Sequence, residues 1–321
     1  MSSRNVRNGL LGERLKSYQL IVLLGFLGAL VFNLRSEGIF SCPAEGYAGG
    51  TYLGYCSANK YGDYDHGAFW FKLEPRAASF ATAAEVLFLG NSRMQFAFST
   101  AATTEWFDSL RASYYLLGFT HSEGMAFTKP LLSRLGGRPR ARVYIINADR
   151  FFVGEPSRPA RYILTNDDAK SVYKQKRLWQ LIHRLVCTIT GPICGTEFSI
   201  FRATETGAWQ IDGRASFKSG KVTFGETASK ELWPEYFQLA QQFLSDLHVE
   251  KSCIFFTLAP YEGTRIAEGT AIADAVGVDL IAPRLTGLNL FDGIHMDPSS
   301  AERWSRSFFE AAGPRIKKCL H

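Results

Sequence analysis

Nowhere in the 321 residues do two cysteines stand in C-x-x-C spacing, and His121, His183 and His248 fall into no ligand pattern. A thioredoxin-type redox motif or a bound metal is therefore not expected, and no cofactor motif is present. Internal repeats and low-complexity tracts are also missing. Charged residues make up only 21% of the chain against 46% hydrophobic ones, which excludes a disordered polyelectrolyte. The net charge is +6, but the basic residues are scattered and no nucleic-acid signature accompanies them. Nucleic acid is not the expected partner; acidic lipid headgroups or an acidic polysaccharide suit such an excess better.

One uncharged hydrophobic run is present, residues 17–34, SYQLIVLLGFLGALVFNL. It approaches the ~20 apolar residues that cross a bilayer as a helix. Arg4, Arg7, Arg14 and Lys16 precede it against the single acid Glu13, which predicts a cytoplasmic N-terminus and an extracytoplasmic remainder. The small-residue cleavage site of a secretory signal is absent at Leu34-Arg35-Ser36-Glu37. An uncleaved anchor is thus favoured over a signal peptide or a buried core helix. The division that follows is a basic cytoplasmic tail (1–16), a single inner-membrane span (17–34), a juxtamembrane stalk or lid (35–80), and a periplasmic or other extracytoplasmic domain (81–321). Cys42 with Cys56, and Cys187 with Cys194, can each close a small loop in an oxidising compartment, while Cys253 and Cys319 are left paired or free.

Residues 36–80 lack clear periodicity. Regular signals begin at 85–89 (EVLFL), and similar apolar runs stand at 142–146 and 252–258. Such runs read as buried parallel strands, and helical candidates at 100–111, 122–135, 228–247 and 264–276 alternate with them. The expected fold is a three-layer α/β domain around a parallel sheet. An insertion at about 155–227 interrupts it. That insertion holds a basic helical stretch (174–184), the Cys187–Cys194 turn, and an alternating run at 209–224 that reads as a hairpin turning near Gly213 or Gly220.

Two motifs carry chemistry. Leu89-Gly90-Asn91-Ser92-Arg93 follows the first strand, where a sharp strand-to-helix turn lifts a serine hydroxyl above the carboxyl edge of the sheet. Phe291-Asp292-Gly293-Ile294-His295 precedes the last helix, which Asp297 can cap, or Ser299 with Glu302 as a capping box. Asp292 would orient the imidazole of His295, and His295 would take the Ser92 proton and return it to a leaving group. Arg93 reads as an ion-pairing residue whose backbone N–H joins an oxyanion hole. The aromatics of 61–71 and Trp209 read as packing, with sugar stacking as the other use.

A G-[DN]-S motif after the first strand, with D-x-x-H before the last helix about 200 residues later, resembles the SGNH (GDSL-like) hydrolase superfamily. With the N-terminal anchor, the pattern is most similar to its membrane-anchored branch, associated with alginate and teichoic-acid acylation. The resemblance covers about 84–151 and 250–313. It implies a flavodoxin-like sheet, a Ser92–His295–Asp292 triad, and an oxyanion hole of Ser92, Gly118 and Asn147. The usual G-x-N-D block is incomplete, since Ile145 and Ala148 replace its glycine and aspartate. The implied activity is ester hydrolysis or O-acyl (acetyl) transfer on an O-acylated polysaccharide or similar small ester, with no cofactor, beside a multispanning membrane acyltransferase. The competing reading is a non-catalytic binding or assembly subunit on the same fold.

Overall fold

The computed structural model describes residues 4–36, 38–58, 60–135, 140–190, 194–226 and 233–321. Its first element is one long helix, α1 (Arg4–Ser36). From Lys16 to Asn33 it runs 18 residues at mean hydropathy 1.4, with none of that window buried. At 1.5 Å per residue this is about 27 Å, long and apolar enough for a membrane span or signal anchor.

The chain then forms β1 (Thr51–Cys56), β2 (Gly62–Asp63), α2 (Asp65–Trp70) and α3 (Pro75–Ala83) before entering the central sheet at β3 (Val86–Asn91). There follow α4 (Ser92–Phe98), α5 (Ala101–Leu110), β4 (Tyr114–Phe119), α6 (Met125–Arg134) and β5 (Val143–Asn147). The insertion supplies α7 (Arg158–Thr165), α8 (Ala169–Thr190), β6 (Ser199–Ala203), β7 (Trp209–Asp212), β8 (Gly220–Lys221) and β9 (Phe224–Gly225). The remainder is α9 (Trp233–Ser245), β10 (Ile254–Thr257), β11 (Thr264–Arg265), α10 (Ile266–Val276), β12 (Asp279–Leu280), β13 (Asn289–Leu290) and α11 (Pro298–Leu320).

The central sheet has the order β12-β10-β5-β3-β4 and every pairing in it is parallel. This is the doubly wound order in which the chain reverses direction of travel at β3 and β5, the point where open α/β sheets take ligands. Strand residues alternate between two cores, as a period of two demands. Leu87, Leu89, Tyr115, Leu117, Tyr144, Ile146 and Phe256 enter the larger one. Val86, Phe88, Leu116, Val143, Ile145 and Phe255 enter the other, with Phe98, Phe107, Trp304 and Phe308 from α4, α5 and α11. The α/β reading and its strands hold. Of the 228–247 candidate, α9 occupies Trp233–Ser245, and 227–232 lie outside the described residues.

Two segments depart from expectation. Residues 36–80, read as a stalk or lid without periodicity, carry regular structure: β1 pairs antiparallel with β2 and with β6 of the insertion, and β6 pairs with β7. The segment before the domain and the insertion within it therefore build one four-stranded sheet. The expected hairpin at 209–224 does not form either. β7 turns back on β6, whereas β8 pairs with β13 and β9 with β11. Tyr61, Tyr64 and Phe69 are fully buried in this part of the molecule, so the aromatics of 61–71 pack.

Arg202 of β6 joins the two sheets. Its Nε and Nη2 donate to Asp65 Oδ2 at 2.8 and 2.6 Å, and Nη1 donates to Leu116 O at 2.6 Å. Nη2 also bonds Gly118 O. Residues 116 and 118 belong to the edge strand β4, and the buried guanidinium shares their outward carbonyls with Gln95 Nε2, which lies 2.9 Å from each oxygen. All six cysteines are bridged: Cys42–Cys56, Cys187–Cys194 and Cys253–Cys319.

Candidate active site

Ser92 stands where β3 gives way to α4, at the carboxyl edge of the sheet. Gly90 and Gly118 face each other across β3 and β4. A Cβ on Gly90 would sit 2.9 Å from Asn147 Cβ and 3.1 Å from Met94 Cβ; one on Gly118 would sit 2.7 Å from Met94 Cε and 2.9 Å from Asn91 O. Both positions must lack a side chain for α4 to lie this close to the sheet. Asn91 then caps α4: its Oδ1 accepts from Arg93 N at 3.0 Å and from Asn147 Nδ2 at 3.2 Å. Asn147 Oδ1 in turn accepts from Ala259 N at 3.0 Å. A hydrogen-bonded pair of asparagines thus ties together the ends of β3, β5 and β10 beneath the serine.

His295 reaches the serine from the other side. After β13 the chain turns through Gly293 (φ 81°), and Asp292 Oδ1 accepts the backbone N–H groups of Ile294 (3.0 Å) and His295 (2.7 Å). Asp292 Oδ2 lies 2.6 Å from His295 Nδ1, and His295 Nε2 lies 2.8 Å from Ser92 Oγ. An ionised carboxylate only accepts, so Nδ1 carries the ring proton and Nε2 is left to accept from the serine hydroxyl. Burial by itself would raise the Asp292 pKa. The hydrogen bond and charge of His295, with the two backbone N–H groups, outweigh it and hold the carboxyl below its ordinary value. The imidazole packs against Phe96 and stacks with Phe291, at centroid distances of 4.6 and 5.8 Å. Asp297 caps α11 through Ser300 N at 2.7 Å, while Glu302 accepts from Ala102 N instead of closing a capping box.

The three residues open into a cleft of about 450 Å³. Tyr55, Phe96, Phe198, Phe217 and Phe291 make its aromatic walls, and Ser57, Glu197 and Arg214 stand among its polar lining. Tyr55 comes from the segment before the domain, and Phe198 and Phe217 come from the insertion, so both poorly periodic regions shape it. Trp209 is buried below, edge-on to Phe96.

Gly118 and Asn147 do not line this cleft. Asn147 is fully buried in the asparagine pair, and Gly118 serves as the close approach just described. The Arg93 N–H, expected in an oxyanion hole, is taken by the Asn91 cap. The Arg93 side chain pairs with Asp149 and lies 4.2 Å from the Tyr261 ring centre, so its ion-pairing role is structural. On the β4 side the cleft is lined instead by Thr120 and His121. His121 and Ser122 both have positive φ (59° and 54°), a backbone costly for residues with a Cβ and one that surrounding structure must hold.

What holds it is a network that the sequence reading missed. Thr120 Oγ1 donates to Asp63 Oδ2 at 2.6 Å and, its own proton thus committed, accepts from His121 Nδ1 at 2.7 Å. Asp63 Oδ1 and Oδ2 both lie 2.9 Å from His66 Nδ1, and His66 Nε2 lies 3.1 Å from Glu123 Oε2. Glu123 also accepts from Ser157 Oγ. Burial alone would lower the His66 pKa, but Asp63 and Glu123 overcome it and lift it to about 10, while His66 and Thr120 hold the buried Asp63 at about 2. His66 is thus an imidazolium between carboxylates and has no lone pair for base chemistry. Asp63-Tyr64-Asp65-His66 repeats the D-x-x-H spacing of 292–295, so that spacing was the available signal; the partner beyond the imidazole distinguishes the two. Burial lowers the pKa of His121, with Asp63 opposing, and keeps it neutral near pH 7.

Among the described residues, His183, Cys187 and Cys194 cluster as metal ligands would. Both cysteines are in a disulfide, and the His183 ring nitrogens bond Cys42 O (2.8 Å) and Tyr47 Oη (3.1 Å), so the group is structural. Comparison with protein-family models, with curated proteins and with solved structures returns no match to this chain.

Proposed function

We propose that the chain is a serine esterase or O-acyltransferase of the SGNH-hydrolase type, held at a membrane by α1 and acting on an O-acylated polysaccharide or similar ester. The observation that carries this reading is the unbroken line from Ser92 Oγ to His295 Nε2 (2.8 Å) and from Nδ1 to Asp292 (2.6 Å), at the mouth of an aromatic cleft. His295 takes the hydroxyl proton as Ser92 Oγ attacks the acyl carbonyl, and Asp292 stabilises the imidazolium that results. The proton passes to the departing alcohol, leaving an acyl-serine. Water or a sugar hydroxyl then gives its proton to His295 and attacks the acyl carbon, which restores Ser92. The Ser92 backbone N–H serves the oxyanion, and the cleft beside it is lined on the β4 side by Thr120 and His121 in place of Gly118 and Asn147. Aromatic walls suit the flat apolar faces of sugar rings.

The second reading, a non-catalytic subunit of a membrane acylation complex on the same fold, draws on the absence of Gly118 and Asn147 from the cleft lining. Hydrolysis of p-nitrophenyl acetate by the full-length chain in detergent micelles separates the two. Turnover that Ser92→Ala and His295→Ala both abolish supports the enzyme. Turnover no greater in the natural protein than in those variants sinks the esterase reading and favours the subunit.

A further inference from the structure

The basic helix of the insertion, α8, is amphipathic in an unusual sense. It buries Tyr173, Gln180, His183 and Cys187 against the domain. Elsewhere on its surface Leu178, Leu181, Leu185 and Ile189 are 55%, 57%, 66% and 75% exposed. Their spacing of three, four and four residues aligns them in one stripe about 17 Å long. Outside α1, the other exposed large apolar side chains among the described residues are single ones, such as Phe80, Leu164 and Ile294. A continuous apolar stripe on a globular surface marks something that covers it.

The chain leaving α1 says what that is. Ile39 and Phe40 are buried in a small cluster with Cys187, against Trp179, Val186 and Cys194. Tyr61 Oη donates to Ile39 O at 2.7 Å, and Gly195 N donates to Phe40 O at 2.6 Å, which fixes this link to the domain. Ile39 lies only three positions beyond Ser36, the last residue of α1, a reach of at most about 11 Å. The carboxyl end of α8 is therefore held within a short distance of the end of α1. The helix also carries Lys170, Lys174, Lys176, Arg177 and Arg184 and no acidic residue. Lys176 is turned inward to Asp63 O, whereas Lys170, Lys174 and Arg184 are exposed.

We infer that α8 is an interfacial helix that lays Leu178, Leu181, Leu185 and Ile189 into the anionic lipid surface crossed by α1. The inference rests on the reading of α1 as a membrane anchor. Apolar residues at the headgroup boundary flanked by lysine and arginine are the chemistry that an anionic bilayer binds. With α1 it gives the domain two attachments, so that the cleft is held at a set tilt instead of swinging on a tether.

The test uses the full-length chain in phosphatidylethanolamine–phosphatidylglycerol vesicles, with an environment-sensitive fluorophore on one introduced cysteine at a time. The variants are Leu24→Cys in α1, Leu181→Cys and Leu185→Cys in α8, and Ser245→Cys, an exposed position in α9. The expected result is loss of emission to a lipid-borne quencher at 24, 181 and 185, with 245 quenched only by aqueous iodide. If 24 responds to the lipid quencher while 181 and 185 respond to iodide, α8 does not dock and the anchor stands. If 181 and 185 are shielded from both quenchers, protein covers the stripe and the lipid assignment is overturned. If 24 itself fails to respond, the anchor reading falls and the inference falls with it.

Discussion

Replacing Asp292 by asparagine tests the triad at the atom that sets its polarity. Asp292 accepts three hydrogen bonds: two backbone N–H groups at Oδ1 and the His295 Nδ1–H at Oδ2. Asparagine has one acceptor end and can be placed two ways. With its oxygen on the Ile294 and His295 amides it keeps two bonds and turns an NH₂ toward Nδ1. Flipped, it keeps the imidazole bond and sets NH₂ against both amides, leaving two donors without acceptors at about 1–3 kcal/mol each. The first arrangement wins by that margin. It forces the imidazole proton from Nδ1 to Nε2, where His295 can no longer accept from Ser92. A wrong tautomer with intact geometry costs about 10⁴ in turnover, or about 5 kcal/mol of transition-state stabilisation. Initial rates of p-nitrophenyl acetate hydrolysis, with thermal unfolding to verify the fold, measure this directly. An Asp292→Asn protein within tenfold of the natural rate would refute the tautomer argument.

Other consequences follow from the buried charges. Arg202→Met leaves the buried Asp65 carboxylate without its counter-ion, which should cost about 3–5 kcal/mol and lower the melting temperature by about 6–20 °C; an unchanged melting temperature contradicts that role. The folded pKa of His66 is raised, so its contribution is complete below the ordinary imidazole value and is lost as pH climbs through about 10. Asp63 has the opposite sign: its contribution is present above the ordinary carboxyl value and is lost as pH falls through about 2. Melting temperature should therefore decline between pH 7 and 10, and His66→Asn should flatten that limb; equal slopes would argue against a buried imidazolium.

Much of the central domain is legible in the sequence because its signals are local. The apolar runs at 85–89, 142–146 and 252–258 sit in a sheet buried on both faces, and they read as uninterrupted hydrophobic strands for that reason. Ser92, Asp292 and His295 are likewise marked by short motifs at strand and helix ends, and the fold brings them into line. The four-stranded sheet is different. β1 and β6 lie about 145 residues apart, neither is longer than six residues, and what fixes their register is mutual pairing. β1 (TYLGYC) is broken by Thr51 and Gly54 and shows no uninterrupted apolar run like that of β3, so 36–80 read as irregular. Gly118 and Asn147 show the limit of motif reading. The right residue types stand at the right strand ends, yet steric room and an asparagine pair account for them. The Asp63–His66–Glu123 network joins three distant segments, and its D-x-x-H spacing gave no hint of a carboxylate beyond the ring.

If Ser92 is the nucleophile, the acyl group must pass through its hydroxyl and can be caught there. The full-length chain in detergent is mixed with p-nitrophenyl acetate, quenched in acid within the first turnovers, digested, and its peptides weighed. One acetyl increment is expected on the peptide bearing Ser92, absent from Ser92→Ala and strongly reduced in His295→Ala. An unmodified Ser92 in a protein that nonetheless hydrolyses the ester, or an acetyl group that persists in Ser92→Ala, would contradict that role.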